Sequence, residues 1–160
     1  MKIFKDAIEH NGRRCDIHHT DANNFDALPD GLILKAHAVC FWGGKMLLVH
    51  HAEYDIWSIP GGTRESGESI EEALAREIME ETNCDMVDYI PIAYQKIVDP
   101  DGDGYYRLQY RCNVVPRGEF KEDIAGHVDR IAWIDPGDFE KYIEDKEFKK
   151  AVIRRALELL

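Results

Sequence analysis

One short stretch, residues 69–83, constrains the fold of this 160-residue chain more than any other part. Ser69 is followed three residues later by Glu72, a capping box that predicts the beginning of a helix. Asn83 predicts its end, because asparagine tolerates the left-handed conformation in which many helices terminate. The sequence therefore predicts a helix over Ser69–Thr82, with both ends specified by local interactions.

The acidic side chains of this helix have an uneven distribution. At about 100° per residue, the apolar residues Ile70, Ala73 and Leu74 form a stripe that faces inward. Glu71 and Glu72 point away from the stripe, and we interpret them as a solvated face. Three further glutamates continue the stripe instead of opposing it. They are Glu77, Glu80 and Glu81.

This inward trio predicts a metal site. Carboxylates one helical turn apart, about 6 Å, repel by roughly 2–3 kcal/mol per pair at an effective dielectric constant near 20. Burial adds a cost of desolvation to that repulsion. A divalent cation removes the conflict, because oxygen ligands clustered on a rigid element suit Mg²⁺ or Mn²⁺. We therefore expect Mg²⁺ or Mn²⁺ as cofactor at this face of the helix.

The residues around the trio favour the same chemistry. Gly61 and Gly62 allow the backbone to approach a ligand closely, and the Gly61 carbonyl could join the metal shell. Arg76 precedes Glu77 in sequence and could orient a carboxylate with its planar guanidinium group.

The segment from Gly62 to Cys84 resembles the signature box of the Nudix hydrolase family. That box runs Gly, five residues, Glu, seven residues, Arg-Glu-aliphatic-any-Glu-Glu-any-Gly-aliphatic. Asn83 stands in place of the usual Gly, and Cys84 in place of the aliphatic residue. The preceding Trp-x-x-Pro-Gly-Gly run is also similar to the family. The fixed positions that match are Gly62, Glu68, Arg76, Glu77, Glu80 and Glu81.

The resemblance implies a fold, an activity and a set of roles. The fold would be of the α+β class, an α/β/α sandwich around a mixed β-sheet. The activity would be metal-dependent hydrolysis of a phosphoanhydride bond in a nucleoside diphosphate linked to another group. Gly62 and Glu68 would support the site, and Arg76 would steady the first box glutamate as part of the catalytic group. The implied ligands of one or more Mg²⁺ are Glu77, Glu80, Glu81 and the Gly61 carbonyl.

The resemblance leaves the general base open. Family members use either a box glutamate, here Glu77 or Glu80, or a carboxylate from a later loop. That loop contains Glu119, Glu122 and Asp123, of which we favour Glu122 as the catalytic residue.

Two regions are predicted along the chain. Residues 1–30 lie outside the resemblance and read as a β-hairpin extension with a connector, because Asn11 and Gly12 form a strong hairpin signal. Residues 31–160 would form the Nudix hydrolase domain. Patterns of polarity predict further strands near 32–41, 45–50, 57–62, 89–98, 105–115 and 130–134, and helices over 138–144 and 147–159.

Composition restricts the partners. The formal net charge of −11 disfavours nucleic acid polymers, whose binding needs many Lys and Arg contacts to phosphate. A small phosphorylated substrate remains compatible if a cation reverses the local charge. No apolar run approaches the ~20 residues of a membrane span, and no secretory signal is evident, so we expect a cytoplasmic protein without a membrane partner.

Two other residue types receive simpler interpretations. The four cysteines form no CxxC pair and read as packed, reduced thiols. The adjacent pairs His18-His19 and His50-His51 point to opposite faces of a strand, and we interpret them as surface or interface histidines.

The identity of the substrate is left open by the sequence. Pro100 lies sixteen residues beyond Cys84, where ADP-ribose-cleaving members of the family carry proline. Those enzymes often dimerise through an N-terminal β extension, which leaves a homodimer open here. ADP-ribose or a nucleotide sugar is slightly favoured over a nucleotide-sanitising (deoxy)nucleoside triphosphate pyrophosphohydrolase. A non-catalytic, nucleotide-sensing Nudix module is the alternative of another class, and the intact glutamate trio argues against it.

Overall fold

The computed structural model describes all residues, 1–160, and contains a nine-stranded mixed sheet between two helices. The helices are α1 (Ile70–Thr82) and α2 (Glu147–Glu158). The strands are β1 (Ile3–His10), β2 (Arg13–Asp21), β3 (Ile33–Trp42), β4 (Lys45–His51), β5 (Ile56–Ser58), β6 (Gly61–Thr63), β7 (Cys84–Val98), β8 (Gly104–Pro116) and β9 (Val128–Ile134).

The strand order is β1-β2-β7-β8-β3-β4-β5, with β6 paired to β3 and β9 paired to β4. The contact between β3 and β8 is parallel, and the other pairs are antiparallel. Because side chains alternate along a strand, β3 contributes to the core on both faces of the sheet. Ala36 and Ala38 pack in the cluster that contains α1, whereas Val39 and Phe41 pack with α2. The predicted α/β/α sandwich around a mixed sheet is confirmed.

The N-terminal hairpin extends the central sheet. Asn11 and Gly12 form its turn with positive φ angles of 52° and 73°, as a two-residue hairpin loop requires. Strand β2 then pairs with β7, and Ile17 of β2 is fully buried. Its neighbours there include Phe148 of α2. The hairpin therefore packs against β7 and α2 in a small apolar cluster beside the main core.

Two predictions about local structure are wrong. Residues 138–144 do not form an α-helix, because the chain makes a short 3₁₀ helix over Pro136–Lys141 that is anchored by buried Phe139. His19 and His50 are not surface residues, because both side chains are buried, where polar partners satisfy their rings. The partners of His19 are Asp21 and Gln95, and those of His50 are Asp55 and Asp129.

Two other findings concern the thiols and the helices. Cys15, Cys40, Cys84 and Cys112 are buried and free, as predicted. Neither helix combines the length and the hydrophobicity that a membrane span requires.

Candidate active site

Helix α1 is the platform of the site, and its ends are those predicted. The Ser69 hydroxyl accepts a hydrogen bond from the Glu72 backbone N–H at 3.1 Å. At the other end Asn83 is left-handed (φ 55°, ψ 37°), and its N–H bonds to the Met79 carbonyl. The Asn83 side chain also donates to the Glu119 carbonyl at 3.1 Å. The asparagine thus performs the terminating role for which the box usually has glycine.

The three inward glutamates are shielded from solvent to different degrees. Glu81 is 5% exposed, and the side chains of Glu77 and Glu80 are 18% and 23% exposed. Glu72 is exposed, as predicted. Glu71 is half-buried, and its carboxylate accepts a hydrogen bond from the Tyr110 hydroxyl at 3.1 Å, so its prediction as a solvated residue is wrong.

These glutamates face a cavity of about 510 Å³ between α1, β6 and the loop that precedes β9. Five glutamates and one arginine line it, so its charge is strongly negative. Such a cavity repels a phosphate group unless a cation is bound within it. The charged residues of the lining are Glu53, Glu65, Arg76, Glu77, Glu80 and Glu81.

Arg76 contacts four residues that form the site. Its Nη2 donates to Glu68 at 2.7 Å and to the Thr63 carbonyl at 3.0 Å. Its Nη1 lies 3.1 Å from Glu77 and 3.4 Å from Glu80. The pKa of Glu68 is lowered, chiefly by the hydrogen bond from Arg76. The guanidinium group therefore ties the loop after β6 to the carboxylates of the helix.

The two glycines of the Pro-Gly-Gly run are required for different steric reasons. Gly61 has φ +150°, and a Cβ there would lie 2.2 Å from the Ala36 carbonyl oxygen. A Cβ on Gly62 would lie 2.4 Å from the carboxyl carbon of Glu77. The backbone of Gly61 also donates to Glu81 at 2.8 Å. Gly61 thus allows β6 to approach β3, and Gly62 makes room for an acidic side chain.

Burial changes the pKa values of two glutamates at the site. Desolvation raises the pKa of Glu81 to about 8, although the hydrogen bond from Gly61 opposes the shift. Burial also raises the pKa of Glu77, with Arg76 opposing it. Negative charge is therefore destabilised at two of the three glutamates, and a cation would relieve the destabilisation.

The donor set fits a divalent cation. No three His, Cys, Asp or Glu side chains converge as a ready-made shell, because Arg76 holds Glu77 and Glu80 while Gly61 holds Glu81. The cavity has more carboxylate groups than cationic side chains, and Gly62 leaves room for the carboxylate of Glu77, an arrangement that suits Mg²⁺ or Mn²⁺.

The structure separates the three carboxylates of the later loop. Glu119 and Glu122 are exposed, and neither lines the cavity. Asp123 is buried, and its carboxylate accepts backbone hydrogen bonds from Ala125, His127 and Val128. Its charge contributes to the raised pKa of both Glu77 and Glu81. Asp123, and not Glu122, is therefore the loop carboxylate that lies beside the site.

The acidic cavity is also lined by two histidines that the sequence analysis did not assign to the site. His51 and His127 come from β4 and the loop before β9, and the His51 Nε2 lies 2.8 Å from the Ser58 hydroxyl. Burial lowers the pKa of His51, which keeps the ring neutral at pH 7. The only sequence signal was the position of His51 at the end of a strand, where side chains often reach a site at the sheet edge.

Comparisons with known proteins agree with this geometry. The family model described as NUDIX domain matches residues 33–156. The chain is 26% identical over 117 residues to an 8-oxo-(d)GTP phosphatase of Mycolicibacterium smegmatis, a match that covers 71% of this chain and 35% of that protein. The chain spans 19% and 35% of the lengths of the first two curated relatives.

Solved structures share the fold. The pyrophosphohydrolase BsRppH of Bacillus subtilis superposes with a TM-score of 0.72 at 19% identity, over 99% of this chain and 98% of that one. A NUDIX hydrolase from Nitrosomonas europaea superposes with a TM-score of 0.63 at 22% identity, over 78% and 87%. The first likeness includes the N-terminal hairpin. Because the family model matches most of the chain, and the box lies in the acidic cavity, this chain belongs to the NUDIX family.

Proposed function

We propose that this chain is a divalent-metal-dependent pyrophosphohydrolase that cleaves a phosphoanhydride bond in a nucleoside triphosphate. The observation that carries the proposal is the cavity in which five glutamates face one arginine. Three of the glutamates project from the buried side of α1, where carboxylates without a cation destabilise the fold. A binding module without catalysis has little need for such a cluster.

The residues of the site would have different roles in such a reaction. Mg²⁺ or Mn²⁺, when bound, would neutralise the phosphate oxygens and polarise the bond to be cleaved. Glu77, Glu80, Glu81 and the Gly61 carbonyl would hold the ion. Arg76 would keep Glu77 and Glu80 in position through the contacts described above.

A proton acceptor for the attacking water can come from two places. Glu80 is the most exposed of the three helix carboxylates, so it can reach a water molecule in the cavity. Asp123 is the alternative, but three backbone N–H groups already occupy its oxygens. We therefore assign the role of general base to Glu80, and not to Glu122.

Two observations support a triphosphate over ADP-ribose. Pro100, on which the argument for ADP-ribose rests, lies in an exposed turn whose neighbour Asp101 pairs with Arg13 at 2.7 Å. The proline is therefore explained by the turn itself. Relatives named for 8-oxoguanine nucleotides match the chain at 26% identity over 117 residues and at 50% identity over 38 residues.

A nucleotide panel tests the proposal. Purified protein is incubated with nucleoside triphosphates, ADP-ribose, a nucleotide sugar and a dinucleoside polyphosphate, each with Mg²⁺ or with EDTA, and products are separated by chromatography. We expect a nucleoside monophosphate and pyrophosphate from at least one triphosphate, and only with the metal. Faster release of AMP from ADP-ribose would replace the substrate that we propose. Tight binding without any release would identify a sensor.

A further inference from the structure

A second cavity, of about 110 Å³, lies between the sheet and α2. Water occupies about 30 Å³ per molecule in the liquid, so this cavity has room for several waters or for the edge of one planar ring. Apolar side chains of α2, among them Phe148 and Val152, form one wall. The opposite wall is polar and is formed by His37, Gln95, Arg107 and Gln109.

Hydrogen bonds fix the orientation of the amide groups in the polar wall. The Gln95 Nε2 donates to the Phe148 carbonyl at 2.7 Å, so the Gln95 Oε1 must face Arg107, whose Nη2 lies at 2.6 Å. That same oxygen accepts from the Gln109 Nε2 at 3.4 Å. The amide of Gln109 is thereby oriented with its nitrogen towards Gln95, and its own oxygen takes no part in this network.

Two atoms of the wall are buried without a partner. They are the Gln109 Oε1, on a residue only 3% exposed, and the His37 Nδ1. A buried polar atom without a hydrogen bond costs about 1–3 kcal/mol, so such atoms in a cavity point to a ligand. Arg107 also lacks a carboxylate partner, since its hydrogen bonds go to the neutral Gln95 and its guanidinium lies over the Phe148 ring.

This inner cavity adjoins the acidic one. His37 on β3 pairs with Gly61 on β6, and Gly61 lines the acidic cavity. Ser58 lines the inner cavity and bonds to His51, which lines the acidic one. The two cavities therefore share a wall made of β3, β5 and β6.

We propose that the inner cavity binds the base of the nucleotide and selects bases with adjacent carbonyl and ring N–H groups, such as guanine and hypoxanthine. This inference rests on the proposed function. The Gln109 oxygen needs a hydrogen-bond donor, and the Arg107 guanidinium needs an acceptor. Guanine and hypoxanthine supply both on one edge, and Arg is the usual partner of the guanine carbonyl.

Other ligands satisfy this wall less well. Adenine offers an amino donor, but its acceptors are ring nitrogens without a carbonyl oxygen for Arg107. A phosphate group has only acceptor oxygens near neutral pH, which the Gln109 oxygen would repel. The unpartnered Nδ1 of His37 is a ring nitrogen that can donate or accept in the neutral imidazole, as the base requires.

Hydrolysis of ITP and ATP provides a sharp test, because their bases differ only at two adjacent positions: hypoxanthine has a carbonyl and a ring N–H where adenine has an amino group and a ring nitrogen acceptor. With Mg²⁺, we expect kcat/KM for ITP and GTP to exceed that for ATP by at least about tenfold. Gln109→Leu removes the unpaired oxygen at similar volume. This substitution should lower kcat/KM for ITP by about tenfold or more, chiefly through KM, and should lower the ratio of kcat/KM for ITP to that for ATP.

Binding of monophosphates separates the two proposals. In EDTA, calorimetry should show that IMP and GMP bind more tightly than AMP, and that Gln109→Leu removes this difference. If the monophosphates discriminate but no triphosphate is hydrolysed, the base site stands and the proposed function fails. If triphosphates are hydrolysed without preference, and Gln109→Leu leaves the ITP/ATP ratio unchanged, the base site is overturned while the proposed function stands. The melting temperature and the far-UV circular dichroism spectrum of Gln109→Leu report whether this variant folds.

Discussion

Glu81 is the residue at which burial and charge conflict most directly. Its carboxyl group is 5% exposed, and burial raises its pKa to about 8. An unfolded glutamate titrates near pH 4.3, so between about pH 4.3 and 8 the native state holds a proton that the unfolded state has lost. The stability that this group contributes is therefore complete at low pH and is lost as the pH rises towards 8.

This linkage predicts the pH dependence of stability without metal. We expect the free energy of unfolding in EDTA to fall from about pH 5 to pH 8, by up to about 1.4 kcal/mol per pH unit from this group. Glu81→Gln should flatten the slope, because glutamine carries no proton to release. Urea denaturation at several pH values measures it. Glu72→Gln, on the exposed side of the same helix, is the control, and an equal flattening there would contradict the assignment.

Glu80 is the residue for which we predict a loss of activity without a loss of fold. Its side chain is 23% exposed, and its one protein contact is the 3.4 Å approach to Arg76. Glu80→Gln should therefore lower kcat on the best substrate of the panel by at least about a hundredfold, since it removes a charge on which metal binding and proton transfer depend. Steady-state kinetics at saturating Mg²⁺ provides the measurement.

The same control variant serves this prediction. Glu72→Gln should retain full activity, because its carboxylate is exposed and lies outside the cavity. Retention of more than about a tenth of kcat in Glu80→Gln would remove this residue from the catalytic group. Thermal unfolding of both variants shows that any loss does not arise from misfolding.

At the scale of elements, the short helix α1 must both pack on the sheet and place its glutamates at the cavity. Its apolar residues pack on the sheet, and its last turn must place Glu80 and Glu81 at the edge of the cavity before the chain reverses into β7. Asn83 makes the reversal possible through its left-handed backbone. The end of the helix is therefore part of the geometry of the site.

A pair of substitutions at Asn83 tests the need for this conformation. Both Asn83→Gly and Asn83→Val lose the side-chain bond to the Glu119 carbonyl, so their difference isolates the backbone effect. Valine in a left-handed conformation costs roughly 1–2 kcal/mol relative to glycine. We expect Asn83→Val to be less stable than Asn83→Gly by that amount in urea denaturation. Equal stabilities would mean that the helix can end by another route.

At the scale of the whole molecule, the N-terminal hairpin is joined to the core by pairing and by packing. Strand β2 pairs with β7 over Asp16–Asp21, and Ile17 packs against Ile97 and Phe148. We propose that residues 1–30 unfold together with residues 31–160, although the sequence resemblance excludes them.

Two isoleucines of the hairpin provide a matched test of this cooperativity. Ile17 is fully buried, whereas Ile3 is 78% exposed. Ile17→Ala should lower the free energy of unfolding by about 2–5 kcal/mol in a single transition, and Ile3→Ala should change it by less than about 0.5 kcal/mol. Fluorescence and far-UV circular dichroism during urea unfolding should give the same midpoint. A separate early transition of the hairpin would contradict the proposal.

Charge is distributed unevenly between the two cavities of the molecule. The formal net charge is −11, and the acidic cavity concentrates negative charge beside an inner cavity lined by Arg107 and Lys149. In the binding mode that we propose, a nucleotide would meet opposite local charges at its two ends, and the metal ion would serve only the phosphates.

Some of this architecture could be predicted because the interactions that specify it are local. The caps of α1 and the turn at Asn11 and Gly12 depend on residues within four positions of each other. The inward face of Glu77, Glu80 and Glu81 follows from helical geometry alone. The sandwich followed from the resemblance of the box, since no local pattern specifies the order of nine strands.

The features that the sequence did not predict depend on contacts between residues that are distant in sequence. Glu71 was predicted as solvated, but its partner Tyr110 is 39 positions away, and His50 meets Asp129 79 positions away. Whether Asp123 or Glu122 approaches the helix depends on one turn of a loop. The sequence by itself thus determined the acidic helix and predicted a cation beside it, because both follow from spacing and charge along one element. Only the tertiary structure decided which polar groups are buried beside that helix, because burial depends on the strands and loops that the fold brings together.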